Sequence, residues 1–238
     1  MTQYGFFFDQ QRCLGCATCT VACKEWNEGR RGDAAFSTLT ETQLGAMATP
    51  TDWVAGTASG TTNHAFNRRF HMKETWRKVS FHEFGDVAPN VSVVPLSMAC
   101  NHCSDPACMK VCPVKAITKE EVYGAVVVDS SRCVGCGACR AACPWKVPQY
   151  YDALEKTPMG SEKHPRMTKC DMCVDRLKVG LKPACVASCP GRALDCGPMD
   201  ELKKRHPIAT VTAVGVIEAD VAKTRPNVLF RARTVVVK

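Results

Sequence analysis

The residues of this chain that are best suited to chemistry are its 17 cysteines, among 238 residues in all. So high a count has three ordinary explanations: disulfides, metal ligation and redox catalysis. All but one of the cysteines fall into four groups of four, whose spacing decides between these explanations. In order along the sequence, group A is Cys13, Cys16, Cys19 and Cys23; group B is Cys100, Cys103, Cys108 and Cys112; group A′ is Cys133, Cys136, Cys139 and Cys143; group B′ is Cys170, Cys173, Cys185 and Cys189.

Groups A and A′ both have the spacing C-x2-C-x2-C-x3-C, which is typical of bacterial ferredoxins that bind [4Fe-4S] clusters. Three thiolates on one tight loop occupy three corners of a cubane, and the fourth cysteine ligates the other cluster of a pair. Zinc is the rival metal, because the C-x2-C pairs of groups B and B′ also suit a four-ligand zinc site. Zinc does not need the longer run, which occurs twice here. We therefore predict four [4Fe-4S] clusters, and we interpret Cys196, which fits no motif, as a buried thiol.

The surroundings of the cysteine groups repeat as well. Residues 6–23 align with residues 126–143 at a constant offset of 120, and they share an Asp, an Arg, a Gly and every cysteine. Groups B and B′ share the ending P-A-C-x3-C-P-x2-A, although their middle gaps differ. Gly15 and Gly135, in the repeated loops, are expected to take positive φ and let the backbone approach a cluster. The chain is therefore predicted to contain an internal duplication.

Residues 100–144 have the pattern of one complete two-cluster ferredoxin. A cysteine motif ends in C-P, and it is followed by a predicted helix start at 114–117, a turn near Gly124, a strand over 125–128 and the second cysteine run. Group B is therefore predicted to pair with A′, which leaves A to pair with B′ across a long separation. Pairing of A with B and of A′ with B′ is also sterically allowed, so this alternative stays open.

Exchange of the fourth cysteine within each pair gives the predicted ligand sets. Cluster 1 takes Cys13, Cys16, Cys19 and Cys189; cluster 2 takes Cys23, Cys170, Cys173 and Cys185; cluster 3 takes Cys100, Cys103, Cys108 and Cys143; cluster 4 takes Cys112, Cys133, Cys136 and Cys139.

The predicted fold class is α+β, with two bacterial-ferredoxin-like modules, one inserted in the other, long loops and a small β-hairpin. Residues 70–84 partly alternate and residues 91–96 form a second extended run, which indicates a hairpin that either contacts a partner or covers its own module. The predicted divisions are module 1 (1–31 and 145–200), an insertion loop and hairpin (32–96), module 2 (97–144) and a C-terminal docking tail (201–238).

The formal net charge of +8 would ordinarily suggest an acidic partner such as nucleic acid. Four oxidised clusters with their thiolates would add about −8, so the loaded protein is expected to be near neutral and nucleic acid is not expected as a partner. We expect no signal peptide and no membrane span, because Asp9 interrupts the first apolar run and Glu218 and Asp220 interrupt the last. The scattered histidines and the lack of a phosphate-binding loop predict no catalytic site.

The sequence resembles the iron–sulfur subunits of the dimethyl sulfoxide reductase family, which serve molybdenum or tungsten bis-pterin oxidoreductases. The likeness includes QYGFFFD before group A, CNHCSDPACMKVCP in group B, CPWKVPQY after group A′ and RALDCGPMDELKKRH after group B′. It implies an electron-transfer role and a large molybdopterin or tungstopterin catalytic subunit as partner. The second partner that it implies is a membrane-anchor subunit that oxidises quinol or another electron donor. It also implies that module 1 faces the catalytic subunit and that module 2 lies nearer the donor.

Other functions share this pattern of cysteines. The same four clusters could serve a formate dehydrogenase or hydrogenase complex, or a free polyferredoxin. For location, we expect a membrane-associated complex, on the periplasmic side if a twin-Arg-tagged partner carries the chain and in the cytoplasm otherwise. The substrate is set on another subunit and is not encoded here.

Overall fold

The computed structural model describes residues 2–27, 76–85, 91–150, 166–209 and 221–233. In the predicted insertion loop and hairpin (32–96), residues 32–75 lie outside the described segments, and these include the least patterned stretch of the sequence, residues 32–66. The described segments combine short strands with short helices, which is the predicted α+β class. In these segments, no helix has both the length and the apolar character that a membrane crossing requires.

The strands are β1 (Tyr4–Asp9), β2 (Lys78–Phe84), β3 (Ser92–Met98), β4 (Ile117–Lys119), β5 (Val126–Val128), β6 (Gln149–Tyr150), β7 (Met167–Thr168), β8 (Leu194–Pro198) and β9 (Val228–Arg231). The helices are α1 (Thr18–Trp26), α2 (Ala107–Lys110), α3 (Ala138–Ala142), α4 (Val174–Lys178), α5 (Ala184–Ala187), α6 (Met199–Arg205) and α7 (Val221–Thr224).

The main sheet has three strands in the order β8-β1-β9, with β1 antiparallel to β8 and parallel to β9. The three phenylalanines of β1 are buried, because the strand is covered on both faces and therefore carries a continuous apolar run. Phe8 packs edge-on against Phe230 of β9, with ring centroids 6.2 Å apart. Cys196 of β8 lies opposite Phe6 and is buried, which confirms its interpretation as a core thiol.

Two described parts of the segment predicted as a docking tail, α6 and β9, pack on β1. Leu202 of α6 is fully buried in a small cluster with Phe7 and Leu229. The His206 ring stacks on Phe7, with centroids 3.7 Å apart. These contacts tie residues near both ends of the chain to one sheet, and docking of this segment on a partner stays a prediction.

The predicted hairpin is confirmed by the antiparallel pairing of β2 with β3, in which Phe84 lies opposite Ser92. The hairpin covers the group A loop: a Cβ atom at Gly15 would lie only 2.6 Å from Cε1 of Phe81. Of the two predicted uses, covering its own module is therefore observed, and contact with a partner stays a prediction.

In module 2 the strand predicted at 125–128 is confirmed as β5, which pairs with β4 across the turn at Gly124. The predicted helix start at 114–117 is wrong. Lys115 takes a left-handed conformation with φ of 51°, which is incompatible with a continuing helix. Ile117 then begins β4, where a β-branched side chain packs well against the opposing strand.

Candidate iron–sulfur cluster sites

The loops of groups A and A′ begin with the same turn. The backbone N–H of Gln11 donates to the Asp9 carboxylate at 2.9 Å, and that of Ser131 donates to the Asp129 carboxylate at 2.9 Å. These aspartates are the residues that the duplication aligns. Each carboxylate fixes the start of a cysteine loop, because an Asp side chain that bonds the backbone two residues ahead closes a turn.

The glycines of these loops adopt the predicted conformation. Gly15 has φ of 69° and Gly135 has φ of 70°, so both lie in the left-handed region that favours glycine. Helices α1 and α3 start just after these turns and carry the third cysteine of each group in their first turn. The shared turn geometry places three thiols of each group on one short segment.

The two helices then differ for a reason that the sequence shows. Pro144 follows Cys143, which takes an extended conformation (φ −79°, ψ 118°) and ends α3. Lys24 follows Cys23, so α1 continues to Trp26 and keeps Cys23 within the helix.

Groups B and B′ also share one local structure. The Sγ atom of Cys112 accepts a hydrogen bond from the Ala116 N–H at 3.2 Å, and that of Cys189 accepts one from the Ala193 N–H at 3.3 Å. A backbone N–H that points at a ligand sulfur stabilises the thiolate form and tunes a metal centre. The fourth cysteine of groups B and B′ therefore accepts an equivalent backbone hydrogen bond, which fits its predicted role as a cluster ligand.

Equivalent contacts join A to B′ and A′ to B. The N–H of Asp9 donates to the carbonyl oxygen of Ala193 at 2.8 Å, and the N–H of Asp129 donates to that of Ala116 at 2.8 Å. The adjoining strands pair in the same way, since β1 is antiparallel to β8 and β5 is antiparallel to β4. Each A-type loop thus lies beside one B-type loop, in two copies of one arrangement.

The four predicted ligands of cluster 3 line one cavity. Its wall includes Cys100, Cys103, Cys108 and Cys143, together with Val126, Trp145 and Lys169. Burial raises the pKa of Cys103 and of Cys108 to about 12, and neighbouring thiolate charges contribute to both shifts. Because iron binds thiolate, ligation would offset this cost. The donor set and the largely apolar lining fit a [4Fe-4S] cluster.

The predicted ligands of clusters 1 and 2 also approach one another. Burial raises the pKa of Cys13, and the charges of Cys19, Cys189 and Cys16 add to that shift. Cys189 therefore lies close enough to the group A thiols to act on them.

For cluster 2, burial raises the pKa of Cys173 to about 12, and the charges of Asp171, Cys185 and Cys23 contribute. Burial raises the pKa of Cys170 well above its ordinary value, and the charge of Cys23 raises it further. Cys23 thus acts on the group B′ thiols rather than only on its own group.

For cluster 4, Cys112, Cys133 and Cys139 belong to one hydrophobic cluster, and Cys136 is exposed at the surface.

The arrangement favours cubane clusters over a single metal ion. All 17 cysteines lie in the described segments and none of them forms a disulfide, so disulfides do not explain their number. Within the same segments, no group of three or more His, Cys, Asp or Glu side chains converges tightly enough to hold one ion. Tetrahedral zinc would bring its sulfurs to about 4 Å from each other, whereas the thiolates of a cubane bind different irons and stay farther apart.

Side-chain hydrogen bonds to the predicted ligand sulfurs were not foreseen from the sequence. Each would be donated to a thiolate once iron is bound, and such bonds influence cluster potential. Motif spacing carries no signal for them, although Tyr150 lies in the quoted CPWKVPQY segment. Four of these hydrogen bonds join Thr18 to Cys16 (3.3 Å), Ser97 to Cys19 (3.4 Å), Asn27 to Cys23 (3.7 Å) and Tyr150 to Cys139 (2.7 Å).

Within the described segments, two buried cations lie among these thiols, and the first is Arg77. It is 3% exposed, donates to Ser97 Oγ at 3.1 Å and has its guanidinium 4.9 Å from the Phe6 ring centroid. Burial alone would lower its pKa, but the charges of nearby cysteines, with Cys185 and Cys19 first, raise it.

Lys169 is the second buried cation, with 2% exposure. Its Nζ lies 3.9 Å from Cys100 Sγ and donates to the carbonyl oxygens of Cys170, at 2.9 Å, and of Val126. Burial alone would lower the pKa of Lys169, but the charges of Cys100, Cys108 and Cys170 raise it. No pattern in the sequence indicated that either cation is buried.

Comparisons with known proteins agree with this chemistry. Residues 91–199 match the 4Fe-4S dicluster domain family, and residues 10–26 match a 4Fe-4S binding domain. The B subunit of the anaerobic dimethyl sulfoxide reductase of Escherichia coli is 39% identical over 230 residues, which cover 97% of this chain and 89% of that protein.

Two relatives from Haemophilus influenzae are also similar. The B subunit of its anaerobic dimethyl sulfoxide reductase is 37% identical over 206 residues, covering 87% of this chain and 79% of that protein. A formate dehydrogenase iron–sulfur subunit is 31% identical over 195 residues, covering 82% of this chain but 51% of that protein.

Similarity over nearly the full length of both proteins confirms the family that the cysteine motifs and their flanking segments indicated. The chain binds [4Fe-4S] clusters and transfers electrons. It belongs to the family of iron–sulfur subunits that includes the B subunits of the anaerobic dimethyl sulfoxide reductases.

Proposed function

We propose that this chain carries a series of four [4Fe-4S] clusters that relays electrons between a quinol or other redox partner and a molybdenum or tungsten bis-pterin catalytic subunit. The observation that carries the proposal is the pair of equivalent contacts, Asp9 with Ala193 and Asp129 with Ala116. Two copies of one ferredoxin-like arrangement supply two cluster sites each, which accounts for all sixteen motif cysteines.

The proposed ligand sets are those predicted from the spacing, in which each group lends its fourth cysteine to the other cluster of its pair. The shared cavity of Cys100, Cys103, Cys108 and Cys143 supports this exchange for cluster 3. For cluster 1, the exchange is supported by the charge of Cys189, which raises the pKa of Cys13. For cluster 2, it is supported by the charge of Cys23, which raises the pKa of Cys173. In this arrangement module 2 is inserted between the two parts of module 1.

The protein's own residues set the conditions for electron transfer. Each cluster, when bound, accepts or releases one electron. The sheet and hairpin bury the Cys19 and Cys23 thiols, whereas Cys16 is exposed, and backbone and side-chain donors stabilise the ligand sulfurs. Burial of these thiols limits the rearrangement of solvent that accompanies each transfer.

The partners follow from the family. We infer a large catalytic subunit that carries the pterin and a membrane-anchor subunit that oxidises quinol, in a membrane-associated complex. Module 1 faces the catalytic subunit in this proposal and module 2 lies nearer the quinol donor. The greater coverage of the dimethyl sulfoxide reductase relatives, 89% against 51%, favours this complex over a formate dehydrogenase.

The test is anaerobic purification of the chain together with whatever large subunit it retains. The proposal predicts a brown preparation with about sixteen iron and sixteen sulfide ions per chain, EPR signals that appear on reduction, and a pterin-containing partner. A colourless preparation that contains zinc would contradict the clusters. A nickel-containing partner would contradict the pterin complex but leave the clusters in place.

A further inference from the structure

Arg77 lies between the thiols proposed for clusters 1 and 2. It donates to Ser97 Oγ at 3.1 Å, and that hydroxyl lies 3.4 Å from Sγ of Cys19, a cluster 1 ligand. Arg77 also interacts electrostatically with Cys185, Cys170 and Cys23, which are all proposed cluster 2 ligands. Its Nε is buried and makes no hydrogen bond within the described residues. The guanidinium is therefore shared between two cluster sites.

Lys169 lies between the thiols proposed for clusters 2 and 3. Its backbone directly precedes Cys170, a cluster 2 ligand, and its side chain forms part of the wall of the cluster 3 cavity. There its Nζ lies 3.9 Å from Sγ of Cys100. The loop of one cluster thus extends a cation into the site of the next.

A buried cation is costly unless an anion compensates it. Here the compensating charge comes from thiolates, and a cluster with its thiolates is negatively charged and becomes more so on reduction. A nearby fixed positive charge therefore favours the reduced form and raises the reduction potential, most strongly where solvent does not screen it. Neighbouring clusters that are both reduced also repel each other less with a cation between them.

We propose that Arg77 and Lys169 raise the reduction potentials of the clusters beside them. Arg77 acts on clusters 1 and 2, and Lys169 acts on clusters 2 and 3. Cluster 2 faces both cations and cluster 4 faces neither. The inference rests on the proposed ligand sets and adds to them a function for two residues that bind no iron. Cluster 2 is held at a higher potential than its thiolate ligands alone would give.

The experiment is an anaerobic redox titration of the purified complex, with each cluster followed by EPR. Arg77→Met should lower the potentials of clusters 1 and 2, and Lys169→Met should lower those of clusters 2 and 3. Each shift should correspond to at least a tenfold change in the oxidised-to-reduced ratio, or about 59 mV for a one-electron couple. Cluster 4 should not move in either variant, and this makes it an internal reference.

Matched variants separate charge from folding. The variants Arg77→Lys and Lys169→Arg keep the positive charge. In both, the reduction potentials of the neighbouring clusters should stay close to those of the unmodified protein. Arg77→Gln and Lys169→Gln remove the charge but keep hydrogen-bond donors, and they provide the test if the Met variants lose iron. Lys204→Met removes an exposed lysine, 74% exposed at its side chain, and should leave every potential unchanged.

The outcomes distinguish this inference from the ligand assignment on which it rests. Full iron content with unchanged potentials in the Gln variants would overturn the inference and leave the assignment intact. If the Lys169 variants changed the reduction potential of cluster 4 instead of that of cluster 2, the ligand assignment itself would be overturned.

Discussion

The backbone N–H of Asp9 donates to the carbonyl oxygen of Ala193 at 2.8 Å, although the two residues are far apart in the sequence. The same bond joins Asp129 to Ala116 within a compact stretch of sequence. The duplicated unit is therefore assembled in the same way whether its halves are adjacent or far apart.

Cys23→Ser should damage cluster 2 and spare cluster 1. Serine replaces a thiolate with a poorer iron ligand, and Cys23 acts electrostatically on Cys173 and Cys170 of the distant group B′. Cluster-resolved EPR of the reduced protein should show loss or conversion of the cluster 2 signal only. Cys189→Ser is the matched control and should affect cluster 1 instead. If Cys23→Ser removed only the cluster 1 signal, the proposed exchange of fourth cysteines would be wrong.

Tyr150→Phe should lower the potential of cluster 4. The Tyr150 hydroxyl lies 2.7 Å from Cys139 Sγ, and a hydrogen bond to a thiolate stabilises the extra electron of the reduced cluster. A bond of about 1 kcal/mol corresponds to a shift on the order of 40 mV for one electron. Redox titration followed by EPR measures it. Tyr123→Phe removes a hydroxyl from a ring that packs against Tyr4, and it should shift nothing; equal shifts in both variants would contradict the role of Tyr150.

Gly137→Ala should destabilise the protein, and Ala17→Gly should stabilise it. The two residues are aligned by the duplication and both precede a helix with positive φ, 78° for Gly137 and 56° for Ala17. A Cβ at Gly137 would meet nothing within 4 Å, so the cost of about 1 kcal/mol comes from backbone strain alone. The gain at position 17 should be about half as large, because Ala17 also packs against the core.

Anaerobic urea unfolding followed by far-UV circular dichroism measures both changes in the free energy of unfolding. An unchanged midpoint for Gly137→Ala would show that this turn tolerates a side chain without strain.

Asp195→Asn should destabilise the main sheet at neutral pH. Burial alone would raise the pKa of Asp195, but hydrogen bonds from His206, Lys182 and the Cys196 N–H and the charge of Arg205 lower it. A lowered pKa in the folded state means that the charged carboxylate contributes stability above the ordinary carboxyl pKa. That contribution is lost as the pH falls through the folded-state value.

We expect Asp195→Asn to lose about 2 kcal/mol at pH 7, the usual size for hydrogen bonds to a charged group. The measurement is anaerobic urea unfolding of both proteins at several pH values, since their difference cancels the acid lability that they share. The difference should shrink toward acidic pH. Asp200→Asn, at an exposed position of α6, should cost no more than about 0.5 kcal/mol. A pH-independent difference would contradict the ion-pair explanation.

The cysteine spacing by itself determined the chemistry. Runs such as Cys133 to Cys143 predict a loop that presents three thiolates to one cubane, because this local geometry depends on few residues beyond the run itself. The same holds for Gly15 and Gly135, whose positive φ follows from local turns. Prediction from the sequence succeeded wherever a short segment decides its own conformation.

Local signals failed where two local preferences compete. Residues 114–117 have an apolar pattern that a helix would accept, yet Lys115 takes a left-handed conformation and Ile117 joins a strand. The pairing partner, β5, lies beyond the turn at Gly124 and supplies the hydrogen bonds that decide the outcome.

What only the tertiary structure decided is which groups meet and what lies between them. No local property of Asp9 specifies Ala193 as its partner, since that contact depends on packing β1 against β8 and β9. Nor does the sequence distinguish Arg77 and Lys169 from the exposed cations of the chain. Their burial beside thiolates follows from the packed sheet and cavity, and their effect on electron transfer follows from the absence of solvent screening at such sites.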